Sequence, residues 1–171
     1  MLSKKVFKSG YDVSKGSDLA QGEKNDCFVR ACANAFNTTY EVAHRFVSEN
    51  FKRKKGKGTK GCLVQMKKLK NITLPQTGQL DLFESNGGER SFTIKHVGDM
   101  PKMGGNLINK KYTHKKVAYT VKEFIQRFKT GTYILLVNKH ALTVKNGVMI
   151  DNGNYQYGGY RRVVESAFLI K

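Results

Sequence analysis

An α+β fold, with N-terminal helices packed on a C-terminal antiparallel β-sheet, is what this sequence predicts, and three observations carry the prediction. Apolar residues recur at helical spacing, with capping residues at the right places, between Asp26 and Phe51. An unbroken apolar run, Tyr133-Ile-Leu-Leu-Val137, has the length and branching of a buried strand. Asn146-Gly147 then separates two short apolar segments, which is the strongest short-range hairpin signal. No internal repeat is visible, and 171 residues suit one domain.

Taken in order, residues 1–20 mix Lys, Ser and Gly without apolar periodicity and read as an arm lying along the fold. Residues 21–70 read as a helical lobe. Its first helix is Cys27-Phe-Val-Arg-Ala-Cys-Ala-Asn-Ala-Phe36, with Asn25 or Asp26 as N-cap. Thr38-Thr-Tyr-Glu41 has capping-box spacing and opens a second helix that buries Val42, Ala43, Phe46 and Val47 and ends near Phe51. A third, Leu63 to Leu69, buries Leu63, Met66 and Leu69 and turns its lysines outward.

Residues 71–119 read as a loop-rich basic insert, with glycine pairs and Pro101 punctuating short candidate strands such as Ser91–Ile94. Residues 120–171 read as a helix plus sheet. Thr120-Val-Lys-Glu123 is a second capping box, starting a helix that buries Val121, Phe124, Ile125 and Phe128 and stops by Gly131. Strands follow at Tyr133–Val137, His140–Lys145 and Val148–Asp151, with Val163-Val164 and Ala167–Ile170 closing the sheet.

Three cysteines, Cys27, Cys32 and Cys62, form no CxxC pair, so free thiols in a reducing, cytoplasmic setting are expected. The N-terminus has positive charge but not the apolar run of a secretory leader, and no stretch has the length of a membrane span. His44, His96, His114 and His140 lack zinc-ligand spacing, and the glycine pairs lack the ending of a phosphate loop; neither metal nor cofactor is expected.

Cys27 carries the chemistry. A thiol at the first turn of a helix lies against the positive end of the dipole and near unpaired backbone N–H groups, and its pKa of ~8.5 can fall to about 3.5–7.5 there. Cys32 and Cys62 lie on apolar faces and read as core. Gln21, six residues before Cys27, can fold back so that its amide, with the Cys27 N–H, donates to an oxyanion. Of the four histidines only His140 stands on a strand that faces a hairpin partner. A two-residue turn at Asn146-Gly147 opposes Leu142 to Asp151 and Ala141 to Asn152. His140, two residues from Leu142, therefore shares a face with Asp151, while Asn152 points away.

A Gln, a Cys at a helix start six residues on, a late His on one strand and an Asp on the next resemble the papain-like cysteine peptidase superfamily, particularly its small members in bacteria and phages. The resemblance covers residues 21–37 and 120–151 and implies a papain-like α+β fold. It assigns oxyanion donor, nucleophile, base and orienter to Gln21, Cys27, His140 and Asp151. It implies a thiol protease acting on peptide, isopeptide or amide bonds, in the cytoplasm of the host if phage-encoded. Deamidases and transglutaminases of related fold share the same set. The chain departs from the family in its small size, in having Asp where Asn is usual, and in Phe28 following the thiol, with no Trp in the chain.

A formal charge of +18 asks for a separate account. Between Phe51 and Leu80 there is no acid, while Lys52, Arg53, Lys54, Lys55, Lys57, Lys60, Lys67, Lys68 and Lys70 supply nine positive charges. The first six predict a footprint for an anionic partner, an acidic protein, a nucleic acid or a membrane surface, separate from catalysis. A second acid-free stretch, Met100 to Lys122, interleaves Tyr112 and Tyr119 with lysines, a pattern that could stack bases. A basic binding protein on a papain-like scaffold is thus the competing reading.

Overall fold

The computed structural model describes residues 7–75, 88–99, 119–151 and 159–171. Five α-helices run in the described residues: α1 (Asp18–Gln21), α2 (Cys27–Phe36), α3 (Tyr40–Phe51), α4 (Cys62–Lys68) and α5 (Val121–Arg127). The strands are β1 (Phe7–Ser9), β2 (Asn71–Pro75), β3 (Glu89–Asp99), β4 (Thr132–Val137), β5 (His140–Lys145), β6 (Val148–Asp151) and β7 (Val164–Ile170). They form one sheet in the order β1-β6-β5-β4-β7-β3-β2. From β6 to β2 every neighbouring pair is antiparallel, and β1 joins β6 in parallel as an edge strand. The fold is therefore α+β. No helix among the described residues is long and apolar enough to cross a membrane.

Strand alternation divides the sheet into two apolar faces. Ile134, Leu136, Ala141, Phe168 and Ile170 face α2, α3 and α4, where Phe28, Val29, Phe36, Tyr40, Phe46, Val47 and Met66 complete one core. Leu135, Val137, Leu142, Val144, Met149 and Ala167 face α5, where Val121, Phe124 and Ile125 complete the other. Each large side chain so buried contributes about 1.5–3 kcal/mol, which holds the short helices on the sheet despite their length.

The helix starts show what the sequence specifies. Thr120 and Glu123 form the full reciprocal capping box, and α5 ends at Arg127, before Gly131. α3 starts one residue later than the box at Thr38 predicts: Thr39 is the cap, its hydroxyl accepting from Val42 N–H, and Glu41 falls at the second helical position. Two adjacent threonines offer equivalent caps, and packing selects between them. Of the residues read as buried in α4, Met66 is fully buried while Leu63 and Leu69 are only partly so.

Two expectations give way. Within the insert predicted to be loop-rich, residues 71–75 and 89–99 are β2 and β3, the candidate strand Ser91–Ile94 lying within a longer one, and β3 pairs with β7 along its second half. The N-terminal arm contributes β1 to the sheet and the short α1. Pro101, His114, Tyr112, Asn152 and most of the second lysine-rich stretch lie outside the described residues.

Candidate active site

α2 brings the thiol to the sheet. Eight of its ten residues are buried, and the small side chains of Ala31, Ala33 and Ala35 let it lie close to β5. There Thr143 Oγ1, itself fully buried, donates 2.7 Å to the Ala31 carbonyl and pins helix to strand. One turn back along α2 is about 6 Å, and two residues back along β5 about 7 Å. The two elements therefore reach their starts together, at Cys27 and at His140-Ala141.

The hairpin supplies the other two groups. Asn146 and Gly147 both take positive φ, 49° and 75°, as a tight two-residue turn requires. The register pairs Thr143 with Ile150, Val144 with Met149 and Lys145 with Val148, the pairing the two-residue turn predicts. Asp151 consequently falls on the His140 face, and His140 Nε2 lies 2.6 Å from Asp151 Oδ1. Asp151 is almost fully buried, while 12% of the His140 side chain is open to solvent.

His140 also hydrogen-bonds the Cys27 thiol. With Nε2 committed to Asp151, Nδ1 is the ring nitrogen left for sulfur. Burial pushes the Cys27 thiol up, but the His140 hydrogen bond and charge, with backbone N–H groups of Ala141 and Phe28, outweigh it and hold the pKa below its ordinary value. Burial pushes the His140 imidazolium toward neutrality, and the hydrogen bonds to Asp151 and Cys27 outweigh that too, raising its pKa to about 9. Both shifts run toward the same state, thiolate beside imidazolium.

A buried polar network fixes the start of α2. Asp26 occupies the N-cap position, yet its carboxylate makes no cap bond. It accepts instead from Arg30 Nε at 3.1 Å and Tyr40 Oη at 2.7 Å, with Arg30 Nη2 at 2.9 Å. That leaves the N–H groups of the first turn uncapped by it, and the thiol takes one of them. Arg30 also donates to Ser14 Oγ and lies over the Tyr11 ring, so the N-terminal segment closes around the helix start. Gly10 N–H donates 2.6 Å to the Asp151 carbonyl, holding the orienting residue from the β1 side. Sequence reading missed Asp26, Arg30 and Tyr40 as a unit. The i,i+4 Asp–Arg spacing was its one visible sign, and nothing local marks Tyr40.

Gln21 is not brought to the thiol. It is exposed at the end of α1, and its amide donates to Asp18 Oδ1 at 3.4 Å. Cys32 is fully buried and Cys62 partly so; burial raises both thiols, that of Cys62 to about 12, which keeps them neutral. His96 stands on β3, not in a loop, with Nε2 2.9 Å from Ser166 Oγ.

The basic segment needs one correction. Lys52, Lys54, Lys55, Lys57 and Lys60 are exposed, but Arg53 is not a surface cation. Its side chain and that of Glu23 are wholly buried, with Arg53 Nη2 donating 2.7 Å to Glu23 Oε2. Gly56 N–H donates to the same oxygen at 2.9 Å, and His44 Nε2 lies 3.1 Å from Glu23 Oε1. Burial opposes the Glu23 charge, but these partners hold its pKa down to about 2, so it stays ionised. A buried carboxylate required a buried cation, and the nearest arginine in the basic run supplied it.

Among the described residues no three His, Cys, Asp or Glu side chains are grouped as a metal would need. Compared with protein-family models, curated proteins and solved structures, the chain matches none.

Proposed function

We propose that this protein is a papain-like thiol hydrolase that cleaves peptide or isopeptide bonds through Cys27, His140 and Asp151. The observation that carries the reading is the relay itself: a thiol at a helix start, hydrogen-bonded to a histidine whose other nitrogen is held 2.6 Å from a buried carboxylate.

The chemistry follows from the charges. The Cys27 thiolate attacks the carbonyl carbon, and the carbonyl π electrons move to oxygen. The backbone N–H of Cys27 at the open first turn meets that oxyanion. His140 gives its proton to the leaving amine as the carbon–nitrogen bond breaks, leaving a thioester. Neutral His140 then takes a proton from water, whose oxygen displaces sulfur to release the acid and restore the thiolate. Asp151 holds the ring so that one nitrogen faces sulfur throughout.

The test is a peptide-based electrophile that mimics an acyl group, with adducts located by mass spectrometry. Cys27 should be labelled at least about 10²-fold faster than Cys62, because His140 and backbone N–H groups favour the thiolate at Cys27 while burial disfavours it at Cys62. Labelling that ignores Cys27, or treats the cysteines alike, would overturn the hydrolase reading in favour of a basic binding protein on this scaffold.

A further inference from the structure

We propose that the lysine-rich loop 52–60 forms one wall of the thiol cleft and selects peptides that carry carboxylates beside the bond attacked. This rests on the hydrolase reading and names its substrate class.

The loop does not project away from the site, as its sequence suggests. It leaves α3 through Lys52, in the left-handed region, and turns Arg53 inward. Arg53 Nη2 bonds both Glu23 Oε2 and the Lys24 carbonyl, the latter at 3.3 Å, and Gly56 N–H bonds Glu23. Gly58 lies alongside the same segment, where a Cβ would make an ordinary contact at 3.7 Å with Asn25 Cβ, and a Cβ at Gly22 would meet Lys55 Cε at 3.9 Å. Residues 22–25 are thus clasped along their length, and they run directly into Asp26 and Cys27. At its far end the loop delivers Cys62, whose thiol is raised in part by charge on Cys27.

Charge accounting gives the substrate. The acids of the segment leading into the thiol, Glu23 and Asp26, are each paired with a buried arginine, Arg53 and Arg30, and Asp151 is held by His140. Lys52, Lys54, Lys55, Lys57 and Lys60 are left exposed on a segment without an acid. A cleft bordered by such a wall concentrates anions and raises their on-rate by roughly 10–10³ at low salt. An acidic peptide fits better than a nucleic acid for two reasons. The site attacks acyl carbon, and residues 52–60 hold no aromatic ring on which a base could stack. Tyr119 is occupied elsewhere, beneath Arg127 on the α5 face.

The experiment compares two electrophilic peptides that differ only in Glu or Gln at the positions flanking the reactive carbonyl, and measures the rate of Cys27 labelling by each. It uses the full chain, Lys54→Glu/Lys57→Glu, and Lys122→Glu/Lys129→Glu as a charge-matched control on exposed α5-side residues. The expected Glu-to-Gln rate ratio is at least about tenfold at low salt. It should fall as salt shortens the Debye length to about 8 Å, collapse toward one in the loop variant and persist in the control. A ratio near one in the wild type, an equal loss in both variants, or protection of Cys27 by single-stranded oligonucleotide but not by polyglutamate would overturn the acidic-peptide wall and leave the hydrolase standing. Failure of both peptides to label Cys27 would remove the hydrolase reading and the wall together.

Discussion

Two opposing effects meet at the Cys27 sulfur: burial favours the neutral thiol, while His140 and two backbone N–H groups favour the thiolate. The second set wins chiefly through the hydrogen bond and charge of His140, and Asp26, whose carboxylate is taken by Arg30 and Tyr40, leaves the Phe28 N–H to the thiol. Asp151 acts through His140 and not on the sulfur, so it is a positioning residue. Replacing it by Ala should slow acyl-mimetic labelling of Cys27 by about 10²–10⁴, the range that general acid–base groups supply. Asn152→Ala should leave the rate near that of the wild type, since strand alternation in the sequence opposes position 152 to Ala141 and not to Leu142. Equal losses in the two variants, followed by the same labelling kinetics, would contradict the register or the role.

The hairpin from β5 to β6 decides which acid meets the histidine, and its turn is where the decision is made. Gly147 has φ 75° and room for a side chain, since a Cβ there meets the Lys129 carbonyl only at 3.5 Å. The cost of replacing it is therefore conformational. Gly147→Val should lose about 1–2 kcal/mol of unfolding free energy and Gly147→Asn much less, measured by denaturant titration. Equal stabilities would show that the turn does not set the register.

This hairpin was fully legible because its signal is local: two turn residues and strand alternation fix both partners. The same holds for α2, α3 and α5, whose periodicity and caps lie within their own residues. β1 was not legible as a sheet strand, and of β3 only Ser91–Ile94 was, since the strands they pair with, β6 and β7, lie far along the chain. Arg53 was misread for a related reason. Among five neighbouring cations in the sequence, only the fold reveals which one faces Glu23.

On the scale of the whole molecule, three distant stretches converge on one rim of the sheet: the N-terminal segment around Gly10 to Ser14, the start of α2, and the β5–β6 hairpin. The basic loop clasps residues 22–25, the segment that leads into Cys27. The central claim is that Cys27 and His140 share a proton as thiolate and imidazolium. Its most direct test is the pH dependence of Cys27 alkylation by a small neutral reagent, read by mass spectrometry in the wild type and in His140→Ala. The wild-type rate should follow thiolate with its midpoint below the ordinary thiol pKa, while acyl-mimetic labelling, which also needs the imidazolium proton, should decline as pH passes about 9. In His140→Ala burial remains without its compensation, and the alkylation midpoint should move upward. Coincident titrations for the two proteins, at or above the ordinary thiol value, would contradict the ion pair.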